Sequence, residues 1–148
     1  MVTFISHSPS ETEGLGEAWA VECGCGWLIG LSGGLGAGKT QLVKGLARGL
    51  QARARVASPT YALVHVYPGG RLPLFHVDLY RLETREQIIA AGLEPYLVRP
   101  EGGTVVEWAE RWLDKSSPPW FAPGRLRRAH FKTLGENERE ITYEDIGG

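Results

Sequence analysis

A chain of 148 residues is about one domain's worth and buries roughly two-thirds of its unfolded surface on folding, so a single domain spanning 1–148 is expected. Sixteen Lys and Arg against seventeen Asp and Glu leave a net charge of -1, which excludes a global field drawing the chain to nucleic acid or anionic lipid. With 43% hydrophobic and 22% charged residues, the composition also excludes disorder and fibrous repeats.

The start, Met1 to Ile5, lacks a basic segment leading into an apolar one, and no run of about eighteen apolar residues follows. A cytosolic protein with no membrane association is expected. Ser10-Glu11-Thr12-Glu13 has capping-box spacing, and Leu15, Ala18, Trp19 and Glu22 continue it as a short amphipathic helix stopped by Gly24 and Gly26. Cys23 and Cys25, one residue apart, cannot staple distant segments, and the four histidines add no ligand spacing. Both are read as buried or semi-buried free thiols.

Trp27 to Leu31 is a continuous apolar run, as in a strand buried on both faces. Ser32 to Gly38 must be a loop, and from Lys39 the spacing of Leu42, Val43, Leu46, Ala47 and Leu50 predicts a helix. Tyr61–Tyr67 and Leu72–Asp78 flank Pro68-Gly69-Gly70-Arg71 and predict an antiparallel hairpin. Glu83–Ala91 reads as a helix ended by Gly92, Thr104 to Val106 as a short buried strand leading into Glu107 and Trp108, and Pro118, Pro119 and Pro123 as a loop. Arg125–Lys132 and Arg139–Glu144 predict a final two-stranded ribbon around Gly135-Glu136-Asn137.

Gly33-Gly34-Leu35-Gly36-Ala37-Gly38-Lys39-Thr40 matches G-x-x-x-x-G-K-[ST] between a predicted strand and a predicted helix. Glycines let successive N–H groups converge on phosphate oxygens, and the helix N-terminus adds positive dipole. Lys39 is expected to reach the β- and γ-phosphates, and Thr40 to offer its hydroxyl to Mg²⁺.

Two acids near predicted strand ends, Asp78 and Glu107, are candidates for the metal shell; each also reads as a solvated carboxylate. Carboxyl ends of parallel strands share one crevice, which favours Glu107, because the direction of the Asp78 strand is open. Thr60, in Ser58-Pro59-Thr60, is either a switch hydroxyl that senses the γ-phosphate or a turn hydroxyl. Trp108 is either a base-stacking ring or a partly buried core residue. Arg125, Arg127, Arg128, His130 and Lys132 form a basic run that could meet the phosphates of a nucleic acid but is more simply a solvated edge strand.

Four ordered blocks give these residues a relation. Leu35 to Thr40 is followed by Ser58-Pro59-Thr60-Tyr61, by Phe75-His76-Val77-Asp78-Leu79-Tyr80-Arg81-Leu82, and by Val106-Glu107-Trp108-Ala109-Glu110. Together they resemble the TsaE (YjeE) family, P-loop ATPases that assist formation of N6-threonylcarbamoyladenosine (t6A) on tRNA. The resemblance implies an α/β fold, a P-loop domain with a mixed parallel and antiparallel central sheet flanked by helices. It also implies ATP and Mg²⁺ as cofactors, weak intrinsic hydrolysis, and partnership with TsaD and TsaB proteins, with tRNA met only through the complex.

In that relation the Gly33–Gln41 segment and Trp108 would hold nucleotide. Thr40 and Asp78 would serve Mg²⁺, Thr60 would belong to the switch segment, and Glu107 would be needed for hydrolysis beside Lys39. Gly34, Gln41 and Ala109 depart from residues common in the family (Asp, Thr and Pro), and none removes a proposed phosphate or metal contact. Two rival functions share the cradle: a small-molecule or nucleoside kinase, which needs an arginine-rich lid absent after Glu107, and a nucleotide-dependent scaffold that hydrolyses nothing useful.

Overall fold

The computed structural model describes residues 1–34, 37–52, 63–98, 100–113 and 125–146. Among these the strands are β1 (Val2–Ser6), β2 (Trp27–Gly33), β3 (Val64–Tyr67), β4 (Leu74–Asp78), β5 (Gly103–Glu107), β6 (Arg125–Thr133) and β7 (Arg139–Ile146). The helices are α1 (Pro9–Glu22), α2 (Lys39–Gly49), α3 (Arg85–Ala90) and α4 (Glu94–Leu97), and a 3₁₀ turn at Ala109–Arg111 follows β5.

Uninterrupted apolar strands need cover on both faces, and β2 and β5 lie at the middle of one sheet ordered β1-β7-β6-β2-β5-β4-β3. The pairs β6–β2, β2–β5 and β5–β4 are parallel, and β3, β7 and β1 join antiparallel at the two sides. On one face α1 and α2 seal Ile29, Leu31, Val105, Phe131 and Ile141 with Leu15, Trp19, Leu42, Val43 and Leu46. On the other, Leu28, Val77, Val106 and Leu126 are covered by Ile88, Leu97, Trp112 and Leu113. This α/β sandwich with its mixed sheet is the architecture expected from the sequence.

The two helices on the first face touch backbone to backbone. A Cβ at Gly45 would stand 1.8 Å from the Glu13 carbonyl oxygen, so only glycine permits α2 to approach α1 this closely.

Several expectations are corrected. The N-cap of α1 is Ser8, not Ser10: the Ser8 hydroxyl accepts from Glu11 N at 3.1 Å, and the Glu11 carboxylate accepts from His7 N at 3.0 Å. Pro9 then takes the first helical turn, where its missing N–H costs nothing. Ser32 and Gly33 belong to β2, not to the loop. The third helix is shorter than predicted and starts after a Thr84 cap, whose hydroxyl accepts from Gln87 N. Cys23 is buried, but Cys25 is exposed. The segments β1 and α4 had no counterpart in the sequence reading; β1 is stabilised by a ladder to β7, a partner more than a hundred residues away.

β6 and β7 pair antiparallel as predicted for the final ribbon, and the largest correction concerns the place of β6 in the sheet. β6 pairs with β2 along its length, Trp27 to Gly33 against Arg125 to Phe131. It is therefore an interior strand and not an edge, and its basic run divides: His130 and Lys132 are exposed, whereas Arg127 is buried. Arg127 is 4% exposed, and Asp145 accepts from its Nε at 2.6 Å and from its Nη2 at 2.9 Å. The Pro118, Pro119 and Pro123 loop and the start of the predicted hairpin, Tyr61 and Ala62, lie outside the described residues.

Candidate functional site

Parallel pairing puts the carboxyl ends of β2, β4 and β5 on one edge, and there β2 has β5 on one side and β6 on the other. A crevice at such a point is where open α/β sheets take ligands. Here it is a cavity of about 400 Å³. One wall carries Asp78, Tyr80, Glu107 and Trp108, the floor Ala37, Gly38, Lys39, Thr40 and Gln41, and the far wall Ser8, Pro9, Thr12, Glu136, Asn137 and Arg139.

The floor is the end of the glycine segment. Gly38 caps α2 with φ of 95°, a left-handed value that glycine adopts without strain, and this aims the first turn of α2 at the cavity. Leu42 N donates to Gly38 O at 3.2 Å, so the helical ladder of α2 begins there, and Ala37 N donates back to Gly34 O at 3.3 Å. Leu35 and Gly36 lie outside the described residues, as do Ser58, Pro59, Thr60 and Tyr61, so the expectation for Thr60 falls where nothing is described.

Lys39 is 5% exposed, and its Nζ donates to the Gly33 carbonyl at 2.8 Å and lies 4.3 Å from the centre of the Trp108 ring. Burial pushes its pKa below the usual lysine range, against the opposing pull of Glu107, Glu110 and Asp78. Asp78 and Glu107 are 4% and 5% exposed, so neither is the solvated carboxylate that the sequence left open. They stand opposite each other in the β4–β5 register, and the direction of the Asp78 strand, unsettled in sequence, is parallel to β5. Asp78 Oδ1 accepts from Tyr80 N at 2.9 Å. Glu107 Oε2 lies 2.5 Å from His76 Nε2.

Trp108 follows Glu107 with φ of 61°, a left-handed conformation uncommon for a bulky residue. Its half-buried ring sits between the Lys39 ammonium, the Arg111 guanidinium at 5.1 Å and the Tyr80 ring at 5.3 Å. It lines the cavity beside the lysine and also packs, partly buried, against the core on the second face of the sheet. Strain of this kind concentrates at functional sites.

The site fits a magnesium-bound nucleotide on the chemistry of its donors. Among the described residues no three His, Cys, Asp or Glu side chains gather to hold a metal. Thr40, Asp78 and Glu107 give instead a sparse oxygen set around one cavity, which suits a cation that keeps several of its waters. A buried ammonium with a carbonyl and a ring for company suits an incoming anion.

A family model described as Threonylcarbamoyl adenosine biosynthesis protein TsaE matches residues 6–141. The chain belongs to the TsaE family. The tRNA threonylcarbamoyladenosine biosynthesis protein TsaE of Bacillus subtilis (strain 168) is 35% identical over 140 residues, 95% of this chain and 83% of that protein. Its counterpart from Treponema pallidum (strain Nichols) is 40% identical over 117 residues, 79% of this chain and 81% of that one. The crystal structure of Bacillus subtilis YdiB matches with a TM-score of 0.77 at 31% identity, covering 99% of this chain and 86% of that chain. The role of this TsaE protein is in the biosynthesis of threonylcarbamoyladenosine on tRNA.

The far wall of the TsaE cavity escaped the sequence reading. Ser8, Pro9 and Thr12 reach it because β1 ends at the cavity edge, and Glu136, Asn137 and Arg139 because the β6–β7 turn does. No motif marks them. His76, one of the four histidines without ligand spacing, has no role assigned from sequence, although its spacing of two from Asp78 along a strand puts both on one face. Arg48 pairs with Glu13 and Glu17, and Arg85 donates to the Trp112 carbonyl, so neither joins the cavity lining as a lid arginine would. Among the described residues no helix is long and apolar enough to cross a membrane.

Proposed function

We propose that this TsaE protein is a single-domain, cytoplasmic P-loop ATPase that binds Mg-ATP in the cavity, hydrolyses it slowly, and works with TsaD and TsaB proteins in t6A formation. The observation that carries this is the convergence of one buried cation and two buried carboxylates, Lys39, Asp78 and Glu107, on a cavity floored by the glycine segment. A buried ammonium at a cavity attracts phosphate oxygens, and carboxylates in the same wall attract the cation that accompanies them.

In this reading the 33–40 backbone and the N-terminus of α2 hold the phosphates, and Lys39 turns from Gly33 O to their oxygens. The Thr40 hydroxyl and Asp78, the latter through water, hold Mg²⁺, which when bound neutralises charge on the β- and γ-oxygens. Glu107 orients the attacking water, and Thr60 senses the γ-phosphate from its segment. Trp108 closes the cavity against the nucleotide. Loss of the γ-phosphate releases the 58–61 segment, so partner binding follows the nucleotide state, and tRNA is met through the complex.

Reconstitution tests it. With TsaD and TsaB, the parent protein and ATP should support many rounds of tRNA modification per complex, whereas Lys39→Ala and Glu107→Gln should not. Full multi-turnover activity in both variants, or without the protein, would defeat the proposal. Phosphate transferred to a small acceptor would indicate the kinase instead.

A further inference from the structure

The bond at Glu107 continues inward as a row of buried polar groups. His76, fully buried on β4, has Nε2 2.5 Å from Glu107 Oε2 and Nδ1 3.3 Å from the Tyr67 hydroxyl on β3. The same hydroxyl lies 3.3 Å from His65 Nδ1. An ionised carboxylate only accepts, so the proton of the first bond sits on His76 Nε2. In the neutral ring Nδ1 then accepts, the Tyr67 hydroxyl donates to it, and the Tyr67 oxygen is left to accept from His65. With His76 neutral and the His65 proton on Nδ1, the three donors would point in series toward Glu107, and hydrogen bonds in such a series polarise one another.

The row also explains an arrangement that Coulomb attraction alone would not give. Lys39, buried at the same cavity, donates to the Gly33 carbonyl rather than to Glu107. A carboxylate free to rotate would be drawn onto that ammonium and would fill the place of a phosphate oxygen. His76 holds one carboxylate oxygen toward the interior of the sheet, and the side chain keeps its place in the cavity wall.

We propose that His76 is a positioning residue for ATP hydrolysis: it pins Glu107 Oε2, so that the carboxylate faces the reacting water with Oε1 and stays off Lys39. Tyr67 supports it by fixing the ring tautomer. This rests on the hydrolytic reading of Glu107 given above.

A double-mutant cycle on ATP turnover separates this role from simple core packing. His76→Ala should lower kcat about tenfold, the low end of what outer partners of functional ligands contribute, and change the Mg-ATP dissociation constant less than about twofold. In a Glu107→Gln background the same change should lower kcat no further. His76→Gln, whose amide N–H can take the place of Nε2–H, should restore most of the rate. If His76→Ala does not fold, Tyr67→Phe, which removes one oxygen and keeps the ring, carries the cycle with a loss of about threefold seen only when Glu107 is present.

Equal losses with and without Glu107, a kcat of parent level in His76→Ala, or a loss expressed in nucleotide binding would overturn the positioning role while leaving hydrolysis intact. Absence of ATP turnover in the parent protein would overturn the hydrolytic reading itself, and His76 positioning with it.

Discussion

Two clusters of buried charge lie at opposite edges of the same sheet, and they are built differently. Near the amino ends of β2 and β6, Arg127 is gripped through two nitrogens by Asp145 and has Glu22 2.7 Å from Nη1, an ion pair outside hydrogen-bond geometry. Its guanidinium lies between 5.1 and 5.4 Å from the rings of Trp19, Trp27 and Tyr143. At the carboxyl edge, Lys39 has a carbonyl and a ring, Glu107 one imidazole, and both face a cavity. The first cluster is closed by its own side chains and serves the fold. Open to an incoming ligand, the second has its charges held apart.

Arg127→Ala should break the closed cluster with the largest effect. Losing two charged hydrogen bonds to Asp145 together with the packing against three rings costs about 3 kcal/mol, which for a chain of this size lowers the melting temperature by about 6–12 °C. The melting shift caused by Mg-ATP should persist in this variant. If the shift disappears as well, the two clusters are not independent.

The converse substitution, Lys39→Ala, should leave the melting temperature without nucleotide near that of the parent, since burial already works against the ammonium. What it should remove is the ligand increment, about 2.7 kcal/mol or 5–10 °C at a hundredfold excess over Kd. A full Mg-ATP shift in Lys39→Ala, read by calorimetry or dye fluorescence, would reassign the cradle.

Within the open cluster, Glu107→Gln should slow hydrolysis about a hundredfold, the range for a lost acid–base or water-orienting group, with nucleotide binding retained. Asp78→Asn should act on binding instead, by flattening its Mg²⁺ dependence. Identical Mg²⁺ titrations for Asp78→Asn and the parent would remove it from the metal site.

The closed cluster should also be legible in acid. Bonds from Arg127 and Arg125 hold the Asp145 carboxyl below the usual carboxylate range, so its contribution to stability is complete above the unfolded value near 3.8 and is lost as pH falls through the lower folded value. Urea midpoints of the parent should therefore drop more steeply below about pH 4 than those of Arg127→Ala. A smaller signal comes from the cysteines: burial pushes the Cys23 thiol, close to Arg127, up to about 11, whereas Cys25 is exposed. Iodoacetamide at pH 8 should label Cys25 alone in the native protein, and labelling of both would show that the closed edge opens.

What could be read from the sequence is what covalent spacing dictates. The order strand, glycine segment and helix around Gly33 to Thr40 is local, because glycine permits the turn and the leucine spacing after it fixes the buried face of α2. The β3–β4 hairpin and the β6–β7 pairing are local in the same sense, each closed by a short connection. Glu107 and Asp78 were legible as acids at strand ends, and the family blocks named them.

Tertiary structure decided the rest, because each of these features depends on partners far apart in the chain. Only the parallel register of β4 on β5 sets Asp78 opposite Glu107, and only the pairing of β6 with β2 turns a basic, edge-like segment into an interior strand with Arg127 buried beneath aromatic rings. β1 is stable through β7, and with it α1 reaches the cavity; His76 meets Glu107 across neighbouring strands, thirty-one residues apart. Side-chain alternation reports which face a residue takes, but strand neighbours are chosen by the free energy of the whole sheet, and that choice made these residues into a site.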